Sequence, residues 1–135
     1  MSVKNKVEYN FISQKPGMQL IKKGSPEMKE LNGLLGIPAL KSQIMDVPVT
    51  DKLDALSMGR FAMQPSEDFE FEYTFLEIKI VISGKIIVRD DQGVKYVAEP
   101  GDVYIFTPTT TVVFDGESDG EAVYVGHRFP EPAFM

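Results

Sequence analysis

Glu77 and Lys79 are the residues of this chain whose types and spacing point most directly to chemistry. They stand two positions apart in Glu77-Ile-Lys-Ile-Val-Ile82, which reads as a strand, and the two-residue period of a strand puts both side chains on one face. If that face is interior, a carboxylate and an ammonium share a low-dielectric pocket in which either alone would be costly. Pairing is then expected, and either group can be tuned for proton transfer. With Tyr73 four residues upstream, the set suits a small isomerase or lyase: Glu77 as base, Lys79 or Tyr73 as acid. An ion pair that only satisfies a polar rim, or Lys79 snorkelling to the surface, explains the same spacing.

Other candidates are binding groups. Arg60 could anchor an anionic ligand through its guanidinium if it points inward. Met63, Phe71, Tyr104 and Tyr124 are candidate pocket walls, and each is equally read as plain core. His127, the single histidine of the chain, follows the last apolar segment and is either a surface residue or a general base. Cysteine and tryptophan are absent, which excludes disulfides, thiolate nucleophiles, cysteine-ligated clusters and zinc fingers. One histidine also excludes any metal site that needs two from a single chain. Gly33-Leu-Leu-Gly36 is a helix-end pattern, and there is no Gly-Lys-Ser/Thr phosphate loop.

The 135 residues suit one domain, with ordinary globular composition. Residues 1–60 carry nine Lys/Arg against six Asp/Glu, and residues 61–135 five against fourteen. No basic stripe exists, so nucleic acid is not an expected partner. No apolar run is long enough to span a membrane and no leader pattern opens the chain, so a cytoplasmic protein is expected.

The elements that must position these residues are mostly strands. In residues 1–40, an extension, Tyr9–Ile12 reads as a short strand ahead of a Pro16-Gly17 turn. Ser25-Pro-Glu predicts a helix start, with Met28, Leu31 and Leu35 as its apolar face and Gly36 as its end. From residue 41 to 135 the pattern is a barrel domain. Strands are predicted at Gln43–Val49, Leu56–Met63, Phe69–Phe75, Glu77–Ile82, Lys85–Arg89, Val94–Ala98, Val103–Phe106, Thr111–Phe114 and Glu121–Val125. Turns fall at Ser83-Gly84, Asp90-Asp-Gln-Gly93, Glu99-Pro-Gly-Asp102 and Asp115–Gly120. Short strands at this spacing argue an all-β sandwich or barrel. Alternation places Phe69, Phe71 and Tyr73 on the inner face and Glu70 and Glu72 in solvent.

Two stretches resemble the cupin superfamily of small jelly-roll β-barrels. Phe71-Glu-Tyr-Thr-Phe-Leu-Glu77 followed by Gly84 resembles its first motif, and Ala98-Glu-Pro-Gly-Asp-Val-Tyr-Ile-Phe-Thr-Pro108 its second. Within cupins the chain is most similar to the ethanolamine-utilisation type, the EutQ-like cupins. Met58-Gly-Arg-Phe-Ala-Met63, Phe69-Glu-Phe-Glu-Tyr73, Glu77, Val81-Ile-Ser-Gly84, Ala98–Val103, Tyr124-Val125 and Pro130 carry that likeness. Pro108 stands one residue late, with Thr109 or Thr110 where a glycine is usual.

The resemblance implies a ligand site inside the barrel, where other cupins hold a divalent metal through histidines and the glutamate matching Glu77. Here those histidine positions fall on Phe71 and Tyr73, or in the other register on Glu70 and Glu72, and in the second motif on Val112 or Val113. No conventional metal site and no cofactor is therefore expected. The second register leaves Glu70, Glu72 and Glu77 as oxygen ligands for a hard cation. The expected function is metal-independent small-molecule binding, beside amino-alcohol or aldehyde metabolism linked to bacterial microcompartments. A homodimer is expected, from the resemblance and the need to cover sheet edges. A non-catalytic assembly or partner-binding protein, with microcompartment proteins as partners, is the third reading.

Overall fold

The computed structural model describes residues 11–14, 17–50 and 55–135. Nine strands run through them: β1 (Lys29–Glu30), β2 (Ser42–Thr50), β3 (Leu56–Met63), β4 (Phe69–Tyr73), β5 (Glu77–Arg89), β6 (Lys95–Ala98), β7 (Val103–Phe106), β8 (Thr110–Phe114) and β9 (Asp119–Gly126). All pairings are antiparallel. One sheet has the order β1-β2-β3-β9-β5-β7 and the other β6-β5-β8-β4. The long strand β5 belongs to both, its first half between β9 and β7 and its second half beside β6 and β8. This is the all-β barrel that the strand spacing predicts.

Aromatic side chains close the space between the sheets. Phe61 of β3 meets Phe114 of β8 at 5.3 Å between ring centres, Phe69 stacks on Phe114 at 4.9 Å, and Tyr73 of β4 stacks on Phe106 of β7 at 4.2 Å. These rings, with Val81, Ile86 and Met63, are almost completely removed from water, and their burial is the main driving force for closing the barrel. Leu31 and Leu40, ahead of β2, pack into the same core.

The turn chemistry holds where the sequence demands a left-handed residue. Gly93 closes the Asp90–Gly93 loop at φ 80°, and Gly101 sits at φ 97° in a turn whose Asp102 N–H reaches the Glu99 carbonyl. Ser83-Gly84 does not turn the chain: β5 runs through it, with a register shift against β9 and Gly84 at φ 63°.

The predicted helix from Ser25 is corrected as well. Lys29 and Glu30 form β1, paired with Ile44 and Gln43, so these backbone groups are committed to a ladder rather than to a helix. The helix α1 is a single turn, Asn32–Leu35, though Gly36 ends it as expected at φ 70°. The apolar spacing misled because only Leu31 of the supposed face is buried, while Leu35 is exposed. Of the strand predicted at Tyr9–Ile12, residues 9 and 10 lie outside the described residues, and Ile12 opens a 3-10 turn instead. Of the Pro16-Gly17 turn, Pro16 likewise lies outside them.

Candidate functional site

A row of paired residues crosses the larger sheet: Tyr104 of β7, Lys79 of β5, Tyr124 of β9, Gly59 of β3 and Asp46 of β2. Directly paired residues share a face, and this row faces inward. The strand parity that puts Val81 in the core therefore carries Glu77 and Lys79 in with it. Glu77 is 4% and Lys79 3% exposed. The two are joined at 3.2 Å, Nζ to Oε2, and the Tyr73 hydroxyl donates to the same oxygen at 2.7 Å. The rest of the Lys79 head is surrounded by ring faces, its Nζ lying 4.1 Å from the centre of Phe61, 4.9 Å from Phe114 and 5.3 Å from Tyr124.

This triad ends a cavity of about 220 Å³ whose wall is otherwise largely aromatic, with Phe61, Phe69, Phe71, Tyr73, Phe75 and Phe114. Leu31, Leu35 and Ile44 add to the wall, and the C-terminal segment completes it through Arg128, Phe129, Glu131 and Phe134. That segment is anchored on Asp46. Arg128 donates to both carboxylate oxygens, at 2.6 and 2.9 Å, and the Glu131 N–H donates to Oδ2 at 2.8 Å. The Tyr124 hydroxyl completes the set, bonded to Asp46 and within 2.8 Å of the Met45 carbonyl. Gly59 makes this possible. A methyl group there would lie 1.8 Å from the Met45 carbonyl oxygen and 2.4 Å from the Tyr124 hydroxyl.

Electrostatics divide the site. Burial pushes the Lys79 amine below its ordinary value, and the Glu77 carboxylate beside it opposes that shift. Burial, then the Glu77 charge, pushes the Tyr73 phenol well above the usual range, so it remains a proton donor to Glu77. Burial and then Asp46 do the same to Tyr124. Together these groups can bind an oxygen function and can pass a proton between Tyr73, Glu77 and Lys79.

The candidates named from the sequence divide accordingly. Glu77, Lys79, Tyr73 and Phe71 meet at the cavity. Tyr124 backs it from behind Lys79. Arg60 has the opposite strand parity to Phe61 and lies away from the cavity wall, half-buried, so it does not anchor a ligand there. Met63 is fully buried core. Tyr104 packs on Phe106, with its hydroxyl 2.8 Å from the Ile86 carbonyl and 2.9 Å from that of Tyr96, outside the cavity. Burial pushes its phenol up to about 12. His127 is exposed and outside the cavity, its N–H bonded to the Leu76 carbonyl. Asp46, Phe75, Arg128 and Phe134 were not singled out as site residues. For Asp46 a signal existed, a lone carboxylate inside the apolar run Ile44-Met-Asp-Val47.

The divalent metal that the resemblance implies does not fit these residues. Glu70 and Glu72 point into solvent, while Glu77 points in and is engaged by Tyr73 and a cation. Val112 and Val113 bring no donor, and the described residues contain no group of three His, Cys, Asp or Glu able to hold an ion. The register that would give Glu70, Glu72 and Glu77 to one hard cation is thus not the one adopted.

Comparison with known proteins agrees with this architecture. Among solved structures the chain is similar to the EutQ protein of Clostridium difficile, with 20% identity, 83% of this chain and 76% of that chain covered, and a TM-score of 0.65. It is similar to an RmlC-like cupin from Shewanella frigidimarina at 14% identity, 85% and 94% coverage and a TM-score of 0.61. KdgF from Halomonas sp. matches at 15% identity, 83% and 96% coverage and a TM-score of 0.61. These likenesses show the fold, a cupin barrel. No curated protein sequence matches. None of the described helices is long and apolar enough to cross a membrane. The family described as ethanolamine utilisation protein EutQ matches residues 1–131, and on that near-complete match the chain belongs to the EutQ family.

Proposed function

We propose that this protein is a cupin that binds a small molecule without a metal, its ligand a compact and mainly apolar molecule bearing an oxygen function. The observation that carries this reading is the position of the buried Glu77–Lys79 pair at the end of an aromatic cavity. A pair serving only the fold needs no open space beside it, and closing that space with another apolar side chain would be more stable. The rings supply apolar contact, and Glu77, Lys79 and Tyr73 supply the few polar groups that orient a ligand.

A second reading, an isomerase or lyase, is favoured by one specific geometry. Tyr73, Glu77 and Lys79 form an unbroken chain of hydrogen-bonding groups, with Glu77 placed as base and Tyr73 or Lys79 as acid. Membership of the family supports a place in the cytoplasm beside bacterial amino-alcohol or aldehyde metabolism, with microcompartment proteins as partners. A homodimer belongs to the same proposal.

Calorimetry against small aldehydes, amino alcohols and hydroxy acids tests the binding reading. One class is expected to bind, and Glu77→Gln is expected to weaken that class by about tenfold or more through loss of a charged hydrogen-bond partner. A folded protein that binds none of the three classes overturns the reading. For the enzymatic reading, Glu77→Gln abolishes turnover of the bound class without unfolding the barrel.

A further inference from the structure

We propose that Lys79 is a nucleophile that condenses reversibly with a small, uncharged aliphatic aldehyde in the cavity, Glu77 carrying the protons. The inference rests on the binding reading above and names its ligand class and its bond.

The cation at this position is an amine, and that matters. A guanidinium would hold the Glu77 carboxylate through two parallel bonds and could not be deprotonated, whereas an ammonium can give up its proton and become a nucleophile. Lys79 Nζ is 3.2 Å from Glu77 Oε2, within reach of a proton acceptor. Its other neighbours are the faces of Phe61, Phe114 and Tyr124, which offer no competing acceptor lone pair. Burial pushes the amine in the same direction, toward the reactive neutral form, with the Glu77 charge opposing. The charged and titratable groups around it are Glu77 and Tyr73 at the cavity end and Arg128 and Glu131 in its wall, with Tyr124 and Asp46 behind.

The ligand class follows from the charges. Arg128, the other cation of the wall, is already held by two bonds to Asp46. A ligand carboxylate would thus compete with buried partners for both cations, whereas a neutral carbonyl needs only the apolar wall and one hydrogen-bond donor.

The step balances. Glu77 takes a proton from the Lys79 ammonium, and the Nζ lone pair forms a C–N bond at the carbonyl carbon. The proton passes from nitrogen through Glu77 to the oxygen, giving a carbinolamine. The nitrogen lone pair then expels the hydroxyl, which leaves as water once Glu77 has protonated it. The product is a protonated imine on Lys79 beside an ionised Glu77, so the charge of the pair is unchanged and nothing is oxidised or reduced.

The test is reductive trapping with one equivalent of propanal and cyanoborohydride near neutral pH, followed by peptide mapping. A propyl group on Lys79 is expected to form at least about tenfold faster than on exposed lysines such as Lys41, Lys85 and Lys95, as an amine pre-positioned beside a proton acceptor would react. Glu77→Gln should slow the labelling of Lys79 and leave the exposed lysines unchanged. Lys79→Arg should remove the fast site while the far-ultraviolet dichroism stays that of the barrel. Propanal binding is measured in parallel by saturation-transfer NMR without reductant. If propanal contacts the cavity residues and Lys79 is labelled no faster than the surface lysines, the imine is overturned and the binding reading stands. If propanal neither contacts the cavity nor labels Lys79, while another class from the calorimetric series binds, the aldehyde assignment falls with the imine. If no class binds and Lys79 is unlabelled, both fall.

Discussion

At the scale of single residues, the buried pair is an energetic liability kept in place by its partners. Lys79→Met leaves the Glu77 carboxylate buried with only the Tyr73 hydroxyl to stabilise it, and is expected to cost about 3–5 kcal/mol. Replacing both, Glu77→Leu with Lys79→Met, removes the charges together and is expected to cost far less, or to stabilise by about 1–4 kcal/mol. Urea denaturation of the wild type, both single variants and the double variant measures the coupling. A double variant as unstable as Lys79→Met would mean that the pair holds the barrel together, not that it serves the cavity. This pair was legible in the sequence because a strand has only two faces, so one inward residue decides its neighbours at even spacing. Arg60 failed under the same rule: its parity is opposite to that of Phe61, and nothing in the sequence said which of the two faced inward. Arg128 could not be read at all. It acts from an irregular segment with no period, and its partner Asp46 lies on a strand far away in the chain.

At the scale of elements, the glycines decide how the strands pass one another. Gly59 lets the Tyr124 ring lie across β3 to reach Asp46 on β2, and an added methyl would strike backbone at 1.8 Å. At Gly84, where β5 crosses from one sheet to the other, a Cβ would meet the Asp119 carbonyl at 2.0 Å, and φ is 63° besides. Gly93 has a similarly left-handed backbone, φ 80°, and open space around it. The three alanine variants should therefore separate. Gly93→Ala is expected to cost about 1–2 kcal/mol, the conformational penalty alone. Gly59→Ala and Gly84→Ala should each cost at least about 3 kcal/mol, because rigid backbone rather than a movable side chain must give way. Thermal melts of the three variants check the order, and equal losses would mean that the crossings yield easily. The same comparison shows where sequence reading stops. Turn glycines such as Gly93 and Gly101 announce themselves through flanking Asp, Asn-like or Pro residues. Gly84 looks like a turn for the same reason, yet it serves a strand that bends without reversing, a distinction that only the β5–β9 pairing makes. The misread helix has a related cause: the spacing of Met28, Leu31 and Leu35 is compatible with a helix, but β2 offered Lys29 and Glu30 a ladder.

At the scale of the whole molecule, the parity that takes Glu77, Lys79 and Val81 inward takes Ile78 and Ile80 outward. Pairing sets Ile78 beside Ile105 of β7 and Val125 of β9, and Ile80 beside Val103 and Val123. Across β7, β5 and β9 the outer face of the larger sheet is thus apolar, with Ile105 65%, Val103 51% and Val125 41% exposed, and the patch ends at β3, where Arg60 stands beside Val123. A patch of this kind on a free monomer would be unusual. From β7 to β9 the row of Ile and Val side chains carries no charge, and Arg60 stands at its β3 border, so an identical face from a second copy, related by a two-fold axis, buries the apolar strip with Arg60 at the rim. We therefore expect a homodimer through this face, with the cavity on the opposite side of the same sheet left free. Light scattering on the purified protein should give the dimer mass, and Ile105→Lys should shift it to the monomer by placing two ammonium groups in the apolar contact. Because Ile105 points away from Glu77 and Lys79, ligand binding in the Ile105→Lys monomer should remain within about threefold of wild type, as expected for a surface change of roughly 0.5 kcal/mol or less. A wild-type protein that runs as a monomer at micromolar concentration would show that this face serves another partner. A monomeric variant that also loses its ligand would show that the two faces of the sheet are coupled through β5.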